Sequence, residues 1–309
     1  MRPLLLTFDA FNSLFLPRRP IPWQYANVAA SFNISVSPDA LQPAFRASYK
    51  ALSASHPNFG RELALRGEYA GPQQWWEDVI RGTFARALDE SGSATKEVPD
   101  ALVQDLLTRF SSDRGYRLFK DVKPFFHKLR DRHRLHAPRK VIVGVVSNSD
   151  DRISSVLEAL RISVGDPRAG EEKTRQGNDL PGFEEDREKR PRPHRKMTRA
   201  QRLQKRKEKK DIDFILTSYQ AGVEKPDPLI WDIALRTARE LHGDTGAGTG
   251  DWECIHVGDD YDKDYSGALN AGWKAYHLLR DPEAAAQPLE GTRTITSLSD
   301  LLPEIGLKK

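Results

Sequence analysis

Asp9 closes the apolar run Leu4-Leu5-Leu6-Thr7-Phe8, and three further polar signals follow in order: Ser147-Asn148 after Val141 to Val146, Lys225 before Pro226, and Gly258-Asp259 after Cys254 to Val257. A carboxylate, a hydroxyl, a lysine and an acidic cluster, mostly at the ends of apolar runs, suit phosphoryl chemistry. A carboxylate can attack phosphorus and split one difficult displacement into two through an aspartyl-phosphate, so Asp9 is the candidate nucleophile. The transition state spreads charge over its oxygens and needs donors and cations already in place. Ser147 offers a hydroxyl, with backbone amides after it, and Lys225 a compact positive charge beside a proline that suits a first helical turn. Asp259, Asp260 and Asp264 would repel Asp9 and an anionic substrate unless a cation joined them. Magnesium, which takes oxygen ligands and keeps several waters, needs only a few such carboxylates. Taken singly, each residue has a plainer reading as a surface lysine, an end-of-strand serine or a helix-start acid favoured by the dipole. Their order and placement favour the joint one.

Strands and helices must bring these positions together. In a parallel sheet the C-terminal strand ends open onto one crevice. The alternation predicts strands at Leu4 to Phe8, Lys140 to Val146, Phe214 to Thr217, Cys254 to Val257 and Lys274 to Leu278. Between them it predicts helices near Asp121 to Arg132, after Ser149 as a capping candidate, and from Pro226. From about Pro20 to Arg114 the pattern is helical throughout, with Leu41, Phe45, Tyr49 and Leu52, then Trp76, Ile80, Phe84 and Leu88, then Leu102, Val103, Leu106, Leu107 and Phe110 at helical spacing. Trp75 and Trp76 read as the core of that helical region. The expected organisation is an α/β core over residues 1–19 and 115–309 with a helical segment, 20–114, inserted after the first strand.

Composition narrows the class. With 309 residues the chain fits one large or two medium domains, and its one cysteine, Cys254, excludes an intrachain disulfide and reads as a buried, inert thiol. No run approaches the roughly 18 apolar residues of a membrane helix, so a soluble, cytoplasmic location is expected. The net charge of +4 hides an imbalance. Residues 165–210 hold 16 Lys/Arg against 9 Asp/Glu, which leaves +7 there and −3 elsewhere. So few apolar residues cannot bury enough surface to order a segment, so 165–210 is expected to be a disordered charged loop. Its basic half, Arg187 to Lys210, raises a nuclear-import or nucleic-acid reading but lacks the interleaved aromatics of single-strand platforms. The glycine-rich stretch 243–250 precedes a strand and offers no helix N-terminus to an anion, so a flexible connector is expected.

On these residues the chain resembles the haloacid dehalogenase-like (HAD) hydrolase superfamily. Asp9-Ala10-Phe11-Asn12-Ser13-Leu14 is similar to its first motif, Val145-Val146-Ser147-Asn148 to its second, Lys225-Pro226-Asp227 to its third, and Gly258-Asp259-Asp260 through Asp264 to its fourth. Trp75-Trp76, Thr83-Phe84, Leu216-Thr217-Ser218-Tyr219 and Gly222-Val223-Glu224-Lys225 resemble the eukaryotic hydrolase domain-containing subgroup three and its fungal relatives. The resemblance implies a Rossmann-like parallel-sheet core under a mobile helical cap. It implies Asp9 as nucleophile and metal ligand, Ser147, Asn148 and Lys225 as phosphate-binding, and Asp259, Asp264 and the Phe11 carbonyl as further ligands of Mg2+. Phe11 departs from the superfamily phosphatases, which carry there a second aspartate that protonates the leaving alcohol. General acid–base catalysis of that kind is worth roughly 10² to 10⁴ in rate, so the implied phosphatase is weak. Asn12 and Ser13 stand for the usual glycine and threonine, and both are mild changes.

Three readings follow. The first is a magnesium-dependent phosphatase acting on a small phosphorylated molecule. The second is a 2-haloacid dehalogenase, favoured by the aromatic at Phe11 and opposed by the acidic cluster, whose charge would hinder a carboxylate substrate. The third is a non-catalytic HAD fold that binds a partner through the basic insert.

Overall fold

The computed structural model describes residues 2–90, 97–131, 139–165, 210–243, 252–281 and 291–307. At its centre is a parallel sheet of order β5-β4-β1-β6-β7-β8. The strands are β1 (Leu4–Phe8), β4 (Val141–Ser147), β5 (Phe214–Thr217), β6 (Glu253–Gly258), β7 (Lys274–Leu278) and β8 (Thr294–Ile295). All five residues of β1 are buried and β4 is nearly so, as expected for strands covered on both faces. In register, Phe8 lies beside Val145 on one side and Val257 on the other. Asp9, Ser147 and Gly258 therefore emerge at the same edge of the three central strands, with Thr217 beside Ser147 on β5.

Between β1 and β4 the chain leaves the sheet through a two-stranded antiparallel ribbon, β2 (Phe15–Pro17) against β3 (Tyr116–Leu118). Neither strand was expected, because three residues are too few to show a period of two. The excursion between them is helical: α1 (Ile21–Ala30), α2 (Pro38–Ser55), α3 (Pro57–Leu65), α4 (Pro72–Glu90) and α5 (Asp100–Arg109). Helix α2 starts on Ser37, whose hydroxyl accepts from the Ala40 amide, with a proline at its first position where no amide is needed. Trp75 is buried as expected, whereas Trp76 is only partly so. Its ring nitrogen is the reason, because it donates to Asp150 across the boundary with the sheet.

The remaining helices flank the sheet: α6 (Val122–Asp131), α7 (Arg152–Ala159), the single turn α8 (Ser218–Ala221), α9 (Pro228–His242) and α10 (Gly267–Asn270). Two expected starts shift. Helix α7 begins after Asp151 and not at Ser149, whose hydroxyl points back to the Ser147 carbonyl. Helix α9 begins after Asp227 and not at Pro226, because the Asp227 carboxylate accepts from the Leu229 amide and caps it there.

The expected disordered insert and the expected connector at 243–250 lie almost wholly outside the described residues. At its base the insert leaves and returns at one point, where Val164 bridges Ile212 and the Gly165 amide donates to the Ile212 carbonyl at 2.7 Å. Cys254 is partly buried, and burial pushes its thiol up to about 12. No described helix is long and apolar enough to cross a membrane.

Candidate active site

The edge at which β1, β4 and β6 end carries the four sequence signals together. Lys225 is buried and binds three acceptors through its ammonium: Asp9 Oδ1 at 2.7 Å, Asp264 Oδ1 at 2.5 Å and the Val146 carbonyl at 2.8 Å. Its backbone is pinned by Asn148, which accepts from the Lys225 amide at 2.7 Å and donates to the Lys225 carbonyl at 2.9 Å. Asn148 thus holds the lysine, and its carboxamide is already occupied on both atoms. The peptide bond from Lys225 to Pro226 is cis. Ser147 is buried, yet its hydroxyl has no hydrogen-bond partner among the described residues.

Asp264 sits in a π-helical turn, Tyr261–Ser266, capped by Asp260, whose carboxylate accepts from the Asp262 and Lys263 amides. That turn directs Asp264 inward, where Oδ2 accepts from the Asp260 amide at 3.0 Å and Oδ1 lies 3.1 Å from His256 Nε2. A Cβ at position 258 would collide with the Asp264 carboxylate, so β6 must end on glycine for this approach. Asp260 is committed to its own turn and pairs with Lys263. Asp259 accepts at 3.1 Å from Ser13, the hydroxyl of the first motif.

One ligand oxygen each from Asp9, Asp259 and Asp264 fall within 4.8 Å of one another. Burial, partly offset by Lys225 and reinforced by Asp264 and Asp259, pushes the Asp9 carboxyl up to about 7. Burial also acts to raise Asp264, but Lys225 and His256 hold it far below the usual carboxylate range. Lys225 stays charged against its own burial because Asp264 and Asp9 flank it. One ammonium among three carboxylates leaves a surplus of negative charge, and three hard oxygens that close together suit Mg2+. The donor set therefore fits the ion.

The fourth expected ligand, the Phe11 carbonyl, stays out of the small bridge between Phe11 and Phe15, which uses the Ala10 carbonyl and the Asn12 amide. The Phe11 ring packs on Phe15 at 4.8 Å and on Tyr116 at 5.7 Å between centroids. Asn12 takes φ 53°, the left-handed conformation that asparagine tolerates.

Several supporting residues carried no sequence signal. His256 is fully buried, and its desolvation disfavours the charged ring. In the neutral ring Nε2–H donates to Asp264, so Nδ1 accepts from the Thr7 hydroxyl at 2.8 Å. Arg280 donates twice to the Ser13 carbonyl and once to Asp121, and stacks on Phe119 at 4.2 Å. It fixes the loop that presents Ser13 to Asp259. No local motif marks either residue: His256 reads as one more position of a buried strand, and Arg280 bonds a carbonyl far away in the chain.

Comparison with known proteins gives one consistent answer. Residues 223–301 match the family described as HAD-hydrolase-like. The chain is 27% identical over 305 residues to haloacid dehalogenase-like hydrolase domain-containing protein 3 of Bos taurus, covering 97% of this chain and 93% of that one. It is 26% identical over 293 residues to an uncharacterized Saccharomyces cerevisiae protein, covering 91% and 73% respectively. Among solved structures, a dehalogenase with intermediate complex has a TM-score of 0.51 at 16% identity over 100% and 99% of the two chains. A defluorinating L-2-haloacid dehalogenase also reaches 0.51 at 16% identity, over 98% and 94%. These structural likenesses concern the fold.

Proposed function

We propose that this chain, which resembles HAD-like hydrolases in sequence and fold, is a magnesium-dependent phosphatase of low turnover acting on a small phosphorylated molecule. The observation that carries this reading is the cluster of Asp9, Lys225, Asp259 and Asp264 at one sheet edge, with the Ser147 hydroxyl there making no hydrogen bond among the described residues. Mg2+ held by Asp9, Asp259, Asp264 and the Phe11 carbonyl would neutralise the surplus carboxylate charge and that of a bound phosphate.

The chain's own residues divide the remaining work. Lys225 occupies Oδ1 of Asp9, while Oδ2 accepts no hydrogen bond among the described residues; Oδ2 is therefore the attacking atom. It forms the bond to phosphorus as the bond to the ester oxygen breaks. Ser147 and Lys225 bind the transferring oxygens. Water then attacks phosphorus in the aspartyl-phosphate, releasing phosphate and regenerating the Asp9 carboxylate. The departing alkoxide takes its proton from solvent water, because Phe11, packed on Phe15 and Tyr116, has none to give. Helices α1 to α5 act as the cap that closes over the crevice.

Hydrolysis of an aryl phosphate with and without magnesium tests this reading in the native protein, Asp9→Asn and Phe11→Asp. We expect slow, metal-dependent turnover that vanishes in Asp9→Asn and rises at least tenfold in Phe11→Asp, the low end of acid–base gains of about 10² being reduced by imperfect placement. Activity that survives Asp9→Asn overturns the mechanism. Phe11 also favours the dehalogenase reading, for which the same preparation would release halide from a 2-haloacid without metal. If neither substrate turns over, the non-catalytic reading takes their place, and binding through Arg187 to Lys210 should then weaken steeply with salt if the partner is nucleic acid.

A further inference from the structure

A small cavity lies where helices α1, α2, α4 and α5 meet β3 and the start of α7. Tyr25, Phe45, Trp76, Phe110, Tyr116 and Arg152 are among the side chains around it, and aliphatic residues fill the rest of its wall. Its volume is about 40 Å³, enough for about three heavy atoms when a single water needs some 10–15 Å³ on the same measure.

Most of the wall is apolar, but three polar groups interrupt it. Tyr25 and Tyr116 are 2% and 6% exposed, and neither hydroxyl has a hydrogen-bond partner among the described residues. Two phenols on one cavity wall with no protein acceptor of their own can donate to whatever fills it. Arg152 is the third. Its Nε and Nη2 chelate the two oxygens of Asp150 at 2.8 and 2.9 Å, and its guanidinium lies 4.1 Å from the Trp76 ring centroid. Its Nη1 makes no hydrogen bond among the described residues.

Burial raises both phenols, and the Arg152 charge acts on each in the opposite direction, so the three groups share one electrostatic neighbourhood. Charge decides what they can hold. Asp150 already neutralises Arg152, so a carboxylate entering the cavity would be a buried charge with no counterion, which is costly. A neutral acceptor oxygen meets three donors and brings no charge. One neighbour on each side links the cavity wall to the loops that carry the reacting groups: Tyr116 packs on Phe11, two residues beyond Asp9, and Asp150, which holds Arg152, lies three residues beyond Ser147.

We infer that this cavity is the subsite for the non-reacting end of the substrate, and that it selects a carbon skeleton ending in a neutral carbonyl-type oxygen while rejecting a carboxylate. Tyr25, Tyr116 and Arg152 are the specificity-determining residues. The inference rests on the phosphatase reading for the word substrate, but binding to the cavity does not depend on turnover.

The test uses the full-length protein and two matched pairs of probes. In the first arm, calorimetric titration compares 4-acetylphenol, 4-isopropylphenol and 4-carboxyphenol against the native protein, Asp9→Asn, Tyr25→Phe and Tyr116→Phe. Acetyl and isopropyl groups have the same number of heavy atoms, so the pair isolates the oxygen. We expect the acetyl compound to bind best, the carboxylate worst, and the acetyl preference over isopropyl to fall about fivefold to tenfold in each phenylalanine variant while persisting in Asp9→Asn. In the second arm the corresponding aryl phosphates are compared by kcat/KM, and the acetyl-to-isopropyl ratio of each variant is divided by that of the native protein, which cancels leaving-group reactivity. A preference unchanged in both tyrosine variants, or tighter binding of the carboxylate, overturns the subsite. Loss of hydrolysis with the binding preference intact would strike at the phosphatase reading alone.

Discussion

Asp213 shows how a single residue can report on the fold without touching the site. It precedes β5 and accepts from the Val143 amide at 2.8 Å. Burial, only partly offset by that amide, pushes its carboxyl up to about 6. The unfolded chain should titrate near 3.8, so between the two values the folded state binds more protons than the unfolded one. Stability should therefore be greatest below pH 4 as far as this group is concerned, and fall as pH rises through 6. Asp213→Asn keeps the acceptor and removes the charge. We expect it to stabilise the protein at pH 7 by about 1 kcal/mol, a full two-unit shift being discounted because the side chain is partly open to solvent. Urea unfolding at pH 4 and pH 7 checks this: a gain equal at both values, or a loss at pH 7, sinks it. Asp9, Ser147, Lys225, Asp259 and Asp264 were legible in the sequence because each follows an apolar run or sits at a recognisable spacing. Arg280, His256 and Thr7 were not, because an arginine bonding a carbonyl 267 positions away leaves no local trace.

At the scale of elements, the helical excursion is fastened to the sheet by polar contacts that hydrophobic periodicity could not anticipate. Helix α3 opens with three successive left-handed residues, Asn58, Phe59 and Gly60. That unusual backbone brings Asn58 to Ser218, with a bond in each direction: the Asn58 amide donates to the Ser218 carbonyl at 2.8 Å and the Ser218 hydroxyl donates to Asn58 Oδ1 at 2.9 Å. Arg61 adds a bond to the Tyr219 carbonyl at 2.8 Å. Asn58→Ala removes both side-chain bonds and leaves a β-carbon in left-handed backbone, at an expected cost of about 2–3 kcal/mol. Asn58→Gly loses the bonds but suits the backbone, and should cost about 1–2 kcal/mol. Thermal unfolding of the two variants decides it, since glycine would be the worse of the pair in an ordinary helix. The long helices were readable from their period of 3.6. Short strands such as β2, β3 and β8 were not, because their pairing depends on partners brought near by the rest of the fold.

For the whole molecule, the three-carboxylate cluster joins β1, β6 and the turn after β6 through groups that repel one another. A cation that binds only the folded arrangement should stabilise the entire chain by mass action. We expect millimolar magnesium to raise the unfolding free energy by about 1–2 kcal/mol, which corresponds to a concentration of roughly four to thirty times the dissociation constant. Asp259→Asn should abolish most of that increment, and calcium or sodium at equal ionic strength should not replace it fully. An equal rise with sodium chloride would reduce the effect to general screening. That the sheet is parallel was inferable from alternating strands and helices, whereas its strand order and the position of each functional side chain on its edge required the pairing and register.

The ribbon of β2 and β3 carries the chain out to the helices and back again side by side, with Pro17 opposite Tyr116. Were the helices to turn about so narrow a doorway, they would sweep widest at their far ends and least beside Phe11. Substrate could be admitted by a large swing at the rim while the attacking carboxylate stayed almost still.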